Sequence, residues 1–578
     1  MLEYTSGVFS EEAGKTMLQT CLMSDLKIYQ SSESTKHLAR ELACPELAAG
    51  VLEMLKGQQD INTLREWIRP DFVKQIDSLN LGDAGKAAKA LWESKSSFGN
   101  VLVYGDYDTD GISSTVLAME IFRNKAAQVR YFIPRRDVHG YGLNADVLAK
   151  VVGWGCNTLV VVDCGTNDSE MLEKLRSAGI NIFVFDHHSL SAPVTIPTIV
   201  NPCIDMDAGD HQKICATAVL WCWAWKENIV PKRFLQYEVD LPAVATIADC
   251  MPLHNLNRSL VRYGMNQMRT NPRRGLAVLF EQLGINKSQL TEEHLSMRVI
   301  PCLNAPGRLA TADPGVRALL GLGSNEAIYS CIGELMRINR KRQSLTENIA
   351  HEIDDGFITG NITEKVIYRE DWPVGVLSGV ASRICAEYNR PIVLASPVGS
   401  KVIRGTLRVP EGGDAVGILR QIADKLDAWG GHKYAAGFSV LNENWPVVRD
   451  ELERLLTDIE ITPEDAMPVI NISPSDISVS DWKAVSALGP FGNNNPSPKF
   501  YTDTGTLADI NPMGKDGRHS YVIVHNKRLL AFNTPPRDVA EIMGRGVKGW
   551  IYHPRLDYWR NEEQLQFILD CAVTEGGV

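Results

Sequence analysis

The pattern of apolar and polar positions changes near residue 100, where short apolar runs begin to alternate with amphipathic stretches. The runs are rich in β-branched and aromatic residues, whereas the stretches between them repeat their apolar positions at helical spacing. Alternation of this kind is typical of right-handed crossover units and predicts a parallel sheet. The predicted strands are residues 101–104, 129–133, 159–162 and 182–185, and the predicted helices are residues 112–123, 145–152 and 169–178.

Acids and histidines follow apolar runs at the points where buried strands would end. They are Asp106, Asp108 and Asp110 after residue 104, Asp163 after residue 162, Asp186, His187 and His188 after residue 185, and Asp249 after a further run at residues 245–248. Unpaired polar groups are costly inside a strand core, and ligands of parallel sheets collect beyond the carboxyl ends of the strands. We therefore expect these four segments to form one shared site.

The donors of this predicted site are carboxylates and imidazoles without a thiolate, which suits Mn²⁺ or Mg²⁺ better than structural zinc. Three carboxylates as close as Asp106, Asp108 and Asp110 repel one another unless cations neutralise them. Two cations about 3.5–4 Å apart would polarise a phosphoryl oxygen and activate water, which predicts hydrolysis of a phosphodiester or a pyrophosphate. A histidine that binds no cation could contact the phosphate or protonate the leaving oxygen.

Each motif also has a structural interpretation. The triplet could form a calcium-type loop in which Asp110 caps the helix that begins near residue 112, and Asp163 alone is typical of a cap or a turn. Asp249 is equally unspecific by itself. The paired histidines favour the metal site, because two adjacent imidazoles after a strand are rarely needed for packing.

The remaining pattern divides the chain into further regions. The first ninety or so residues are predicted to be mostly helical, and residues 323–353, which lack proline, predict one or two helices that join domains. A second α/β segment follows, and the short β-type runs near the C-terminus suit a small barrel. The predicted regions are a helical region at 1–95, an α/β domain at 96–322, a connecting helix at 323–360, a second α/β domain at 361–462 and a small barrel at 463–578.

Composition and charge narrow the class of protein only slightly. A chain of 578 residues with 44% hydrophobic and 22% charged residues is typical of a globular protein of several domains. The net charge of −11 argues weakly against coating of nucleic acid through a basic surface, although it allows a local basic track. Basic clusters are more typical of solvated faces. They comprise Arg135 and Arg136, then Arg258, Arg262, Arg269, Arg273 and Arg274, and finally Arg337, Arg340, Lys341 and Arg342.

The cysteines and the apolar segments predict a location. The twelve cysteines are scattered without C-x-x-C spacing, no basic-to-apolar leader is recognisable, and the apolar run at residues 215–225 is too short to span a bilayer. We therefore expect a reduced, cytoplasmic protein with no membrane partner. The tryptophans at 221, 223 and 225 could form a base-stacking platform, but alternate residues do not share a helix face, which favours core packing.

The ordered motifs resemble the DHH phosphoesterase superfamily and, within it, the RecJ-type single-strand exonucleases. The resemblance extends from about residue 60 to the C-terminus. Its clearest segments are GDYDTDG at 105–111, DHH at 186–188, LNAPGRL at 303–309, GGHKYAAGF at 430–438 and GPFG at 489–492. The resemblance implies an α/β fold in which a parallel-sheet DHH domain and a DHH-associated α/β domain are joined by a long helix and followed by an OB-fold β-barrel.

The resemblance also implies roles for particular residues. The implied ligands of two Mn²⁺ or Mg²⁺ ions are Asp106, Asp108, Asp110, Asp163, His187 and Asp249, with Asp163 as the bridge and Asp110, Asp163 and His188 as the catalytic set. His188 would face the scissile phosphate. The implied substrate-binding residues are Arg136 near the 5′ end, Asn304 and Arg308 on one phosphate, and Thr406, Arg408 and His432 in the associated domain. Structural alternatives are an ion pair for Arg308 and a turn contact for His432.

The chain departs from the family pattern at two points. Residues 405–409 read GTLRV where the family has Gly-Ser-x-Arg-Ser, so Thr406 keeps a hydroxyl and Arg408 keeps the charge, but Val409 replaces the second serine. Pro306 stands where the family has a small residue. The first change bears on selectivity for the 5′ end rather than on hydrolysis.

The implied activity is 5′→3′ hydrolysis of single-stranded DNA to 5′-mononucleotides by two-metal-ion catalysis. Single-strand-binding protein and a helicase are the implied protein partners. Two alternatives remain open at this stage. The chain could act on RNA, short oligonucleotides or cyclic dinucleotides, or it could be an inactive scaffold in a replication or repair complex.

Overall fold

The computed structural model places the described residues in two compact units. The described residues are 18–135, 142–143, 145–190, 193–204, 212–459, 466–504, 508–514, 517–559 and 562–575. The first unit comprises Met1–Gln75, Pro252–Ser259 and Asp465–Val578, and the second comprises Ile76–Met251 and Leu260–Glu464. The boundaries of the five predicted domains stay a prediction.

From residue 18 on, the N-terminal region is mostly helical, as predicted, with five helices, and it also contains two short strands that the pattern did not predict. Its elements are β1 (Gln19–Leu22), β2 (Leu26–Tyr29), α1 (Glu33–Leu42), α2 (Glu46–Lys56), α3 (Ile61–Ile68), α4 (Phe72–Ser78) and α5 (Gly82–Ser94). Strands of four residues carry too few alternating positions to be recognised before their partners in a sheet are known.

The predicted parallel sheet is confirmed in the region that follows. Its elements are β3 (Asn100–Tyr104), α6 (Thr109–Phe122), β4 (Gln128–Phe132), α7 (Ala145–Gly153), β5 (Thr158–Val162), α8 (Ser169–Ser177), β6 (Asn181–Phe185) and β7 (Ile199–Val200). The strands lie in the order β4-β3-β5-β6-β7, and every pairing is parallel. The side chains of the central strands β3, β5 and β6 are almost fully buried on both faces, which is the usual state of a parallel sheet between helices.

Helices follow the parallel sheet along the chain. They are α9 (Ala216–Lys226), α10 (Lys232–Tyr237), α11 (Asp240–Ala248), α12 (Asn255–Thr270), α13 (Arg274–Gln282), α14 (Glu292–His294), α15 (Ile300–Leu309) and α16 (Asp313–Leu320), with a π-helical turn at Leu295–Val299. The apolar run at 245–248 is therefore the end of helix α11, and its assignment to a strand end was wrong. A run of four apolar residues does not distinguish a strand from a buried helix.

The tryptophans of α9 belong to the core, as the helical spacing indicated. Trp221 and Trp223 are fully buried, and their indole nitrogens donate to the backbone oxygens of Leu235 and Gly85. Trp221 stacks on Trp225 four residues later, with ring centroids 5.1 Å apart. The base-stacking alternative is wrong because these rings have no surface to offer.

A long helix leads into the second α/β region, as predicted. The elements are α17 (Asn325–Thr359), β8 (Val366–Tyr368), α18 (Val374–Tyr388), β9 (Ile392–Val398), β10 (Val402–Arg408), α19 (Ala415–Arg420), β11 (Ala428–His432), β12 (Ala435–Leu441) and α20 (Trp445–Thr457). The sheet order is β11-β12-β10-β9-β8, and only β8 and β9 are parallel.

The C-terminal region is rich in strands, and those predicted from the sequence are confirmed. The elements are β13 (Met467–Asn471), α21 (Val479–Ser486), β14 (Lys499–Asp503), β15 (Ala508–Met513), β16 (His519–Val524), β17 (Lys527–Ala531), α22 (Pro536–Met543), β18 (Val547–Trp559) and β19 (Glu562–Thr574). The path runs β15-β16-β17-β19-β18-β14-β13-β2, and β1 pairs with β19. Among the described residues, no pairing joins the two ends of this path.

Two arginines of the 258–274 cluster are buried structural residues rather than a solvated face. Arg258, in the first unit, donates to the backbone oxygens of Trp67 and Leu488. Arg273, in the second unit, donates to Asp240 at 2.6 Å and to Glu238 at 2.8 Å. In the described part of the chain, no helix is both long and apolar enough to cross a membrane.

Candidate metal centre and phosphate-binding groups

The predicted acids and histidines converge at the carboxyl edge of the parallel sheet. Their ligand atoms form three groups, in each of which all atoms lie within 4.8 Å of one another. The groups are Asp106 with Asp108 and Asp163, Asp110 with His187 and Asp249, and Asp163 with His187 and His188. We call Asp106, Asp108, Asp110, Asp163, His187 and Asp249 the acidic centre. Asp163 and His187 each belong to two groups and therefore link the set.

His187 stands at the middle of the acidic centre. Its Nε2 lies 3.3 Å from Asp163 Oδ1, 3.6 Å from Asp249 Oδ2 and 3.8 Å from Asp110 Oδ2. These distances are longer than ordinary hydrogen bonds. They show that carboxylate oxygens from three separate segments of the chain lie around one imidazole nitrogen. Burial is the main cause that lowers the pKa of His187, so its imidazole is held in the neutral form that binds metals.

The carboxylates of this centre are crowded. Burial, followed by the charges of Asp110 and Asp108, raises the pKa of Asp163 well above its usual value. The same causes raise the pKa of Asp249 to about 8. Divalent cations between these groups would favour the charged forms and relieve the repulsion. The set of oxygen and imidazole donors therefore fits Mn²⁺ or Mg²⁺.

The neighbouring thiols are not part of this donor set. Cys164 directly follows Asp163, but its Sγ lies 3.6 Å from the backbone oxygen of Val162 and donates to it. Burial, reinforced by nearby carboxylates, raises the pKa of Cys164 well above its usual value. A neutral thiol is a poor metal ligand, so the chemistry of the centre is that of oxygen and nitrogen donors.

Hydrogen bonds fix two of the acids, and the structural alternative named the wrong acid as the helix cap. Asp108, not Asp110, caps α6, because its Oδ1 accepts from the backbone nitrogens of Asp110 at 3.0 Å and Gly111 at 3.1 Å. Asp110 lies inside the first turn, and its carboxylate accepts from the nitrogens of Ala216 at 2.7 Å and Thr217 at 2.9 Å instead. It therefore lies at the N-terminus of α9, where negative charge is favoured.

Asp163 occupies its position at a cost in backbone energy. It follows β5 with φ at +61°, in the left-handed region that non-glycine residues rarely adopt. Its backbone nitrogen donates to the Phe185 oxygen at 3.0 Å, and this bond continues the pairing with β6 past the strand end. Strain of this kind is typical of functional sites, where the surrounding structure holds it.

His188 is held by Asp186, a contact that the sequence alone did not indicate. Asp186 is buried, and its carboxylate accepts from His188 Nδ1 at 2.7 Å, from the His187 nitrogen at 2.8 Å and from the Thr166 nitrogen at 3.0 Å. Burial opposes the imidazolium, but this hydrogen bond and the charge of Asp186 raise the pKa of His188 to about 9. The spacing of two residues between acid and imidazole was the available signal.

Asn304 fastens helix α15 to the loop that carries the first acids. Its Oδ1 accepts from the backbone nitrogen of Thr109 at 2.8 Å and from the Thr109 hydroxyl at 2.7 Å. Gly307 allows this approach, because a Cβ there would lie 2.4 Å from the Tyr107 oxygen. The structure therefore places Asn304 beside the acidic centre, in a contact with protein that the sequence did not predict.

Arg308 and Arg408 bind serine hydroxyls four residues apart on α18, and we call them the arginine pair. Arg308 donates from Nη1 to the Ser378 hydroxyl at 3.0 Å and to the Gly375 oxygen at 3.4 Å. Arg408 donates from Nε to the Ser382 hydroxyl and from Nη1 to the Thr406 hydroxyl, each at 2.9 Å. Burial lowers the pKa of Arg408, and the charge of Arg308 adds to that effect. Two half-buried guanidinium groups among neutral hydroxyls form a suitable surrounding for phosphate.

His432 lies on the same sheet as Arg408. Arg408 pairs with Ala435, and Ala435 pairs with His432, so the three residues are in register across β10, β12 and β11. Directly opposite residues of antiparallel strands point to the same face, which places His432 and Arg408 on one side of the sheet. His432 is exposed. Arg136 lies outside the described residues.

Three family models match this chain in the expected order. The DHH family N-terminal domain matches residues 100–251, the DHHA1 domain matches residues 360–460 and the RecJ OB domain matches residues 470–570. The acidic centre lies in the first match, and Thr406, Arg408 and His432 lie in the second.

Curated relatives and solved structures agree with these matches. The single-stranded-DNA-specific exonuclease RecJ of Bacillus subtilis is 26% identical over 557 residues, which cover 94% of this chain and 70% of the relative. The protein of that name from Thermus thermophilus is 29% identical over 469 residues, with 80% and 68% covered.

The fold is that of RecJ from Thermus thermophilus, whose structure was solved in complex with Mn²⁺. The match has a TM-score of 0.77 at 23% identity and covers 96% of this chain and 81% of that one. A structure of exonuclease RecJ bound to manganese matches with a TM-score of 0.54 at 29% identity, over 67% of this chain and 97% of that one. With the domain matches in this order, the chain belongs to the DHH superfamily and is of the RecJ type.

Proposed function

We propose that this chain is a 5′→3′ exonuclease that hydrolyses single-stranded DNA to 5′-mononucleotides with two divalent cations, Mn²⁺ or Mg²⁺. The observation that carries the proposal is the convergence of carboxylates and imidazole from four separated segments at one sheet edge. The names of the relatives support the proposed substrate. Both relatives match most of the length of this chain and are named single-stranded-DNA-specific exonucleases. Retention of the complete acidic centre argues against an inactive scaffold.

The six residues of the acidic centre would hold the cations, and Asp163 would be shared between them because it belongs to two of the three groups. Bound cations would polarise the phosphoryl oxygens and lower the pKa of the attacking water. The chain itself contributes the arrangement: Asp108 and Asp110 are held by backbone donors at helix N-termini, so their positions do not depend on a ligand.

His188 is the proposed contact to the scissile phosphate. Its Nδ1 binds Asp186, so Nε2 is the ring atom that would donate to a phosphate oxygen or to the leaving group. A pKa of about 9 keeps this imidazole protonated at neutral pH. The side chain is 39% exposed, in contrast to the 11% of His187, and a substrate could reach it.

The arginine pair, with Asn304, Thr406 and His432, is the proposed binding site for the phosphates of the strand. Guanidinium groups bind phosphate as planar forks, and the hydroxyls of Ser378, Ser382 and Thr406 hold them in place. Contacts of this kind set the register of a strand without reading its bases. Arg136 would close the pocket around the 5′ end.

The domain roles, partners and location complete the proposal. The regions 96–322 and 361–462 would form the catalytic and substrate-binding domains, 323–360 would connect them, 463–578 would guide the strand, and 1–95 would be an N-terminal helical region. A single-strand-binding protein and a helicase are the proposed protein partners. All twelve cysteines are free thiols, which supports a reducing, cytoplasmic location.

The test is digestion of end-labelled single- and double-stranded DNA and RNA, with Mn²⁺, Mg²⁺ or a chelator, at two salt concentrations. The proposal expects mononucleotides from single-stranded DNA only, release that begins at the 5′ end, and no product with the chelator. Faster digestion of RNA or of dinucleotides than of long DNA would replace the proposed substrate. Metal binding without hydrolysis of any of these would indicate a scaffold.

A further inference from the structure

Four residues near the acidic centre are joined in a closed ring of hydrogen bonds. Asn201 Nδ2 donates to the His188 backbone oxygen at 2.9 Å and to the Thr166 hydroxyl at 3.0 Å. The Thr166 nitrogen donates to Asp186 Oδ2 at 3.0 Å, and Asp186 Oδ1 binds His188 Nδ1 at 2.7 Å. The ring therefore holds His188 at both its backbone and its imidazole.

Asn201 is placed for this role by the sheet. It follows β7, whose parallel pairing with β6 brings residue 201 to the same sheet edge as the DHH segment. Its side chain is buried, with 7% exposed, and its Oδ1 accepts from the Cys203 nitrogen at 2.8 Å. Thr166 is 1% exposed. Both polar atoms of the Asn201 amide have partners, so its orientation is fixed.

We propose that Asn201 and Thr166 are positioning residues, which set the place of the His188 imidazole through Asp186 and through the His188 backbone. This inference rests on the proposed function, in which His188 contacts the scissile phosphate. Neither residue belongs to the acidic centre, so the ring acts on His188 rather than on the cations. Loss of the ring should lower kcat and leave cation binding intact.

The chain offers a matched control at the opposite edge of the same sheet. Asn181 Nδ2 also donates to one backbone oxygen and one threonine hydroxyl, those of Asn157 and Thr158, each at 3.1 Å. Asn201→Ala and Asn181→Ala therefore each remove one bond to a backbone oxygen and one bond to a threonine hydroxyl, near His188 and far from it, and Asn201→Ala also removes the acceptor of the Cys203 nitrogen. Thr166→Val removes the hydroxyl that accepts from Asn201 Nδ2, whereas Thr166→Ser keeps a hydroxyl at this position.

The experiment measures kcat, KM for single-stranded DNA, and Mn²⁺ affinity by electron paramagnetic resonance. Asn201→Ala and Thr166→Val should lower kcat about 10- to 100-fold, the range found when groups behind a functional residue are removed. KM and Mn²⁺ affinity should stay close to wild type, and Thr166→Ser and Asn181→Ala should retain kcat. A crystal structure of Asn201→Ala should show the His188 ring displaced.

Several outcomes would overturn the inference. An equal kcat for Asn201→Ala and Asn181→Ala would reject the positioning role and leave the proposed function standing. A loss of Mn²⁺ affinity in Asn201→Ala would show that Asn201 maintains the geometry of the acidic centre instead. If wild-type protein hydrolyses no single-stranded DNA, the proposed function fails. The positioning role is then tested only by the crystal structure of Asn201→Ala. An unmoved His188 ring then rejects the positioning role. Thr166→Val answers the same question if Asn201→Ala does not fold.

Discussion

The acidic centre and the arginine pair differ in what surrounds their charges. In the acidic centre, like charges crowd a buried space, and burial with neighbouring carboxylates raises the pKa values of Asp163 and Asp249. In the arginine pair, two cations lie among neutral hydroxyls, with bonds to Ser378, Ser382 and Thr406. Cations would favour the charged form of the first region, whereas the positive charge of the second suits an anion. A phosphodiester and its metal ions would fit both regions.

The largest effect on hydrolysis is expected from a substitution within the acidic centre. Asp163→Ala removes the carboxylate shared by two of the ligand groups. Hydrolysis should fall by more than the about 10²–10³-fold that loss of a single electrostatic stabiliser costs. The measurement is release of nucleotides from a 5′-labelled strand at saturating substrate, with circular dichroism to check the fold. Product release at the wild-type rate would contradict the assignment.

The next largest effect is expected on stability, because metal binding at the acidic centre should raise the free energy of unfolding. Mn²⁺ at a free concentration 100 times its Kd should add about 2.7 kcal/mol to the free energy of unfolding. Because the pKa of Asp249 is raised to about 8, protons compete with the cation, and the apparent affinity should fall as the pH is lowered below that value. Thermal unfolding with Mn²⁺ or chelator, between pH 6 and pH 9, measures both effects. An equal shift in Asp163→Ala would place the binding elsewhere.

Removal of a guanidinium sharpens the comparison, because it should affect substrate binding and not metal binding. Arg408→Ala should raise KM for single-stranded DNA roughly tenfold, since a hydrogen bond to a charged group contributes about 1.5 kcal/mol or more. The slope of the logarithm of the binding constant against the logarithm of salt concentration should become shallower by about one, the contribution of one phosphate contact. Arg449→Ala, at an exposed position on α20, is the control and should change neither. A change in Mn²⁺ affinity in Arg408→Ala would contradict the separation of the two regions.

The smallest expected effect concerns the contact between α15 and the first acidic loop. Asn304→Ala removes the acceptor for the nitrogen and hydroxyl of Thr109 and should cost about 1 kcal/mol of stability, measured by urea unfolding. Thr109→Ser keeps both donors and should cost less. If Asn304→Ala leaves stability unchanged but raises KM, the amide serves the substrate rather than the loop.

The same two regions differ in how far they could be predicted from the sequence. The strands that end in acids and histidines were predicted within about one residue, because a run of buried β-type residues ended by a polar group is a local signal. The convergence of the acids followed from the geometry of parallel sheets. By contrast, Arg308 and Arg408 are 100 positions apart yet bind hydroxyls of the same helix α18, and no local pattern reports this.

Contacts between elements account for the wrong assignments. Residues 245–248 end a helix because their partners are α6 and α9, whereas the run itself suits either element. The structural alternative in which Asp110 caps α6 is wrong, because the N-terminus of α9 supplies this carboxylate with two backbone donors from more than 100 residues away. The arginines at 258 and 273 were grouped by spacing, yet each is buried against a different set of acceptors.

The sequence by itself determined the parallel sheet, the long helix, the identity of the acids and the cations they suit, since each depends on side-chain chemistry and local periodicity. Only the tertiary structure decided which acid caps which helix, how Asp186, Thr166 and Asn201 enclose His188, and which arginines are buried against acceptors of the protein. These are contacts between distant segments, and the free energy of a buried polar group depends on the partner it meets there.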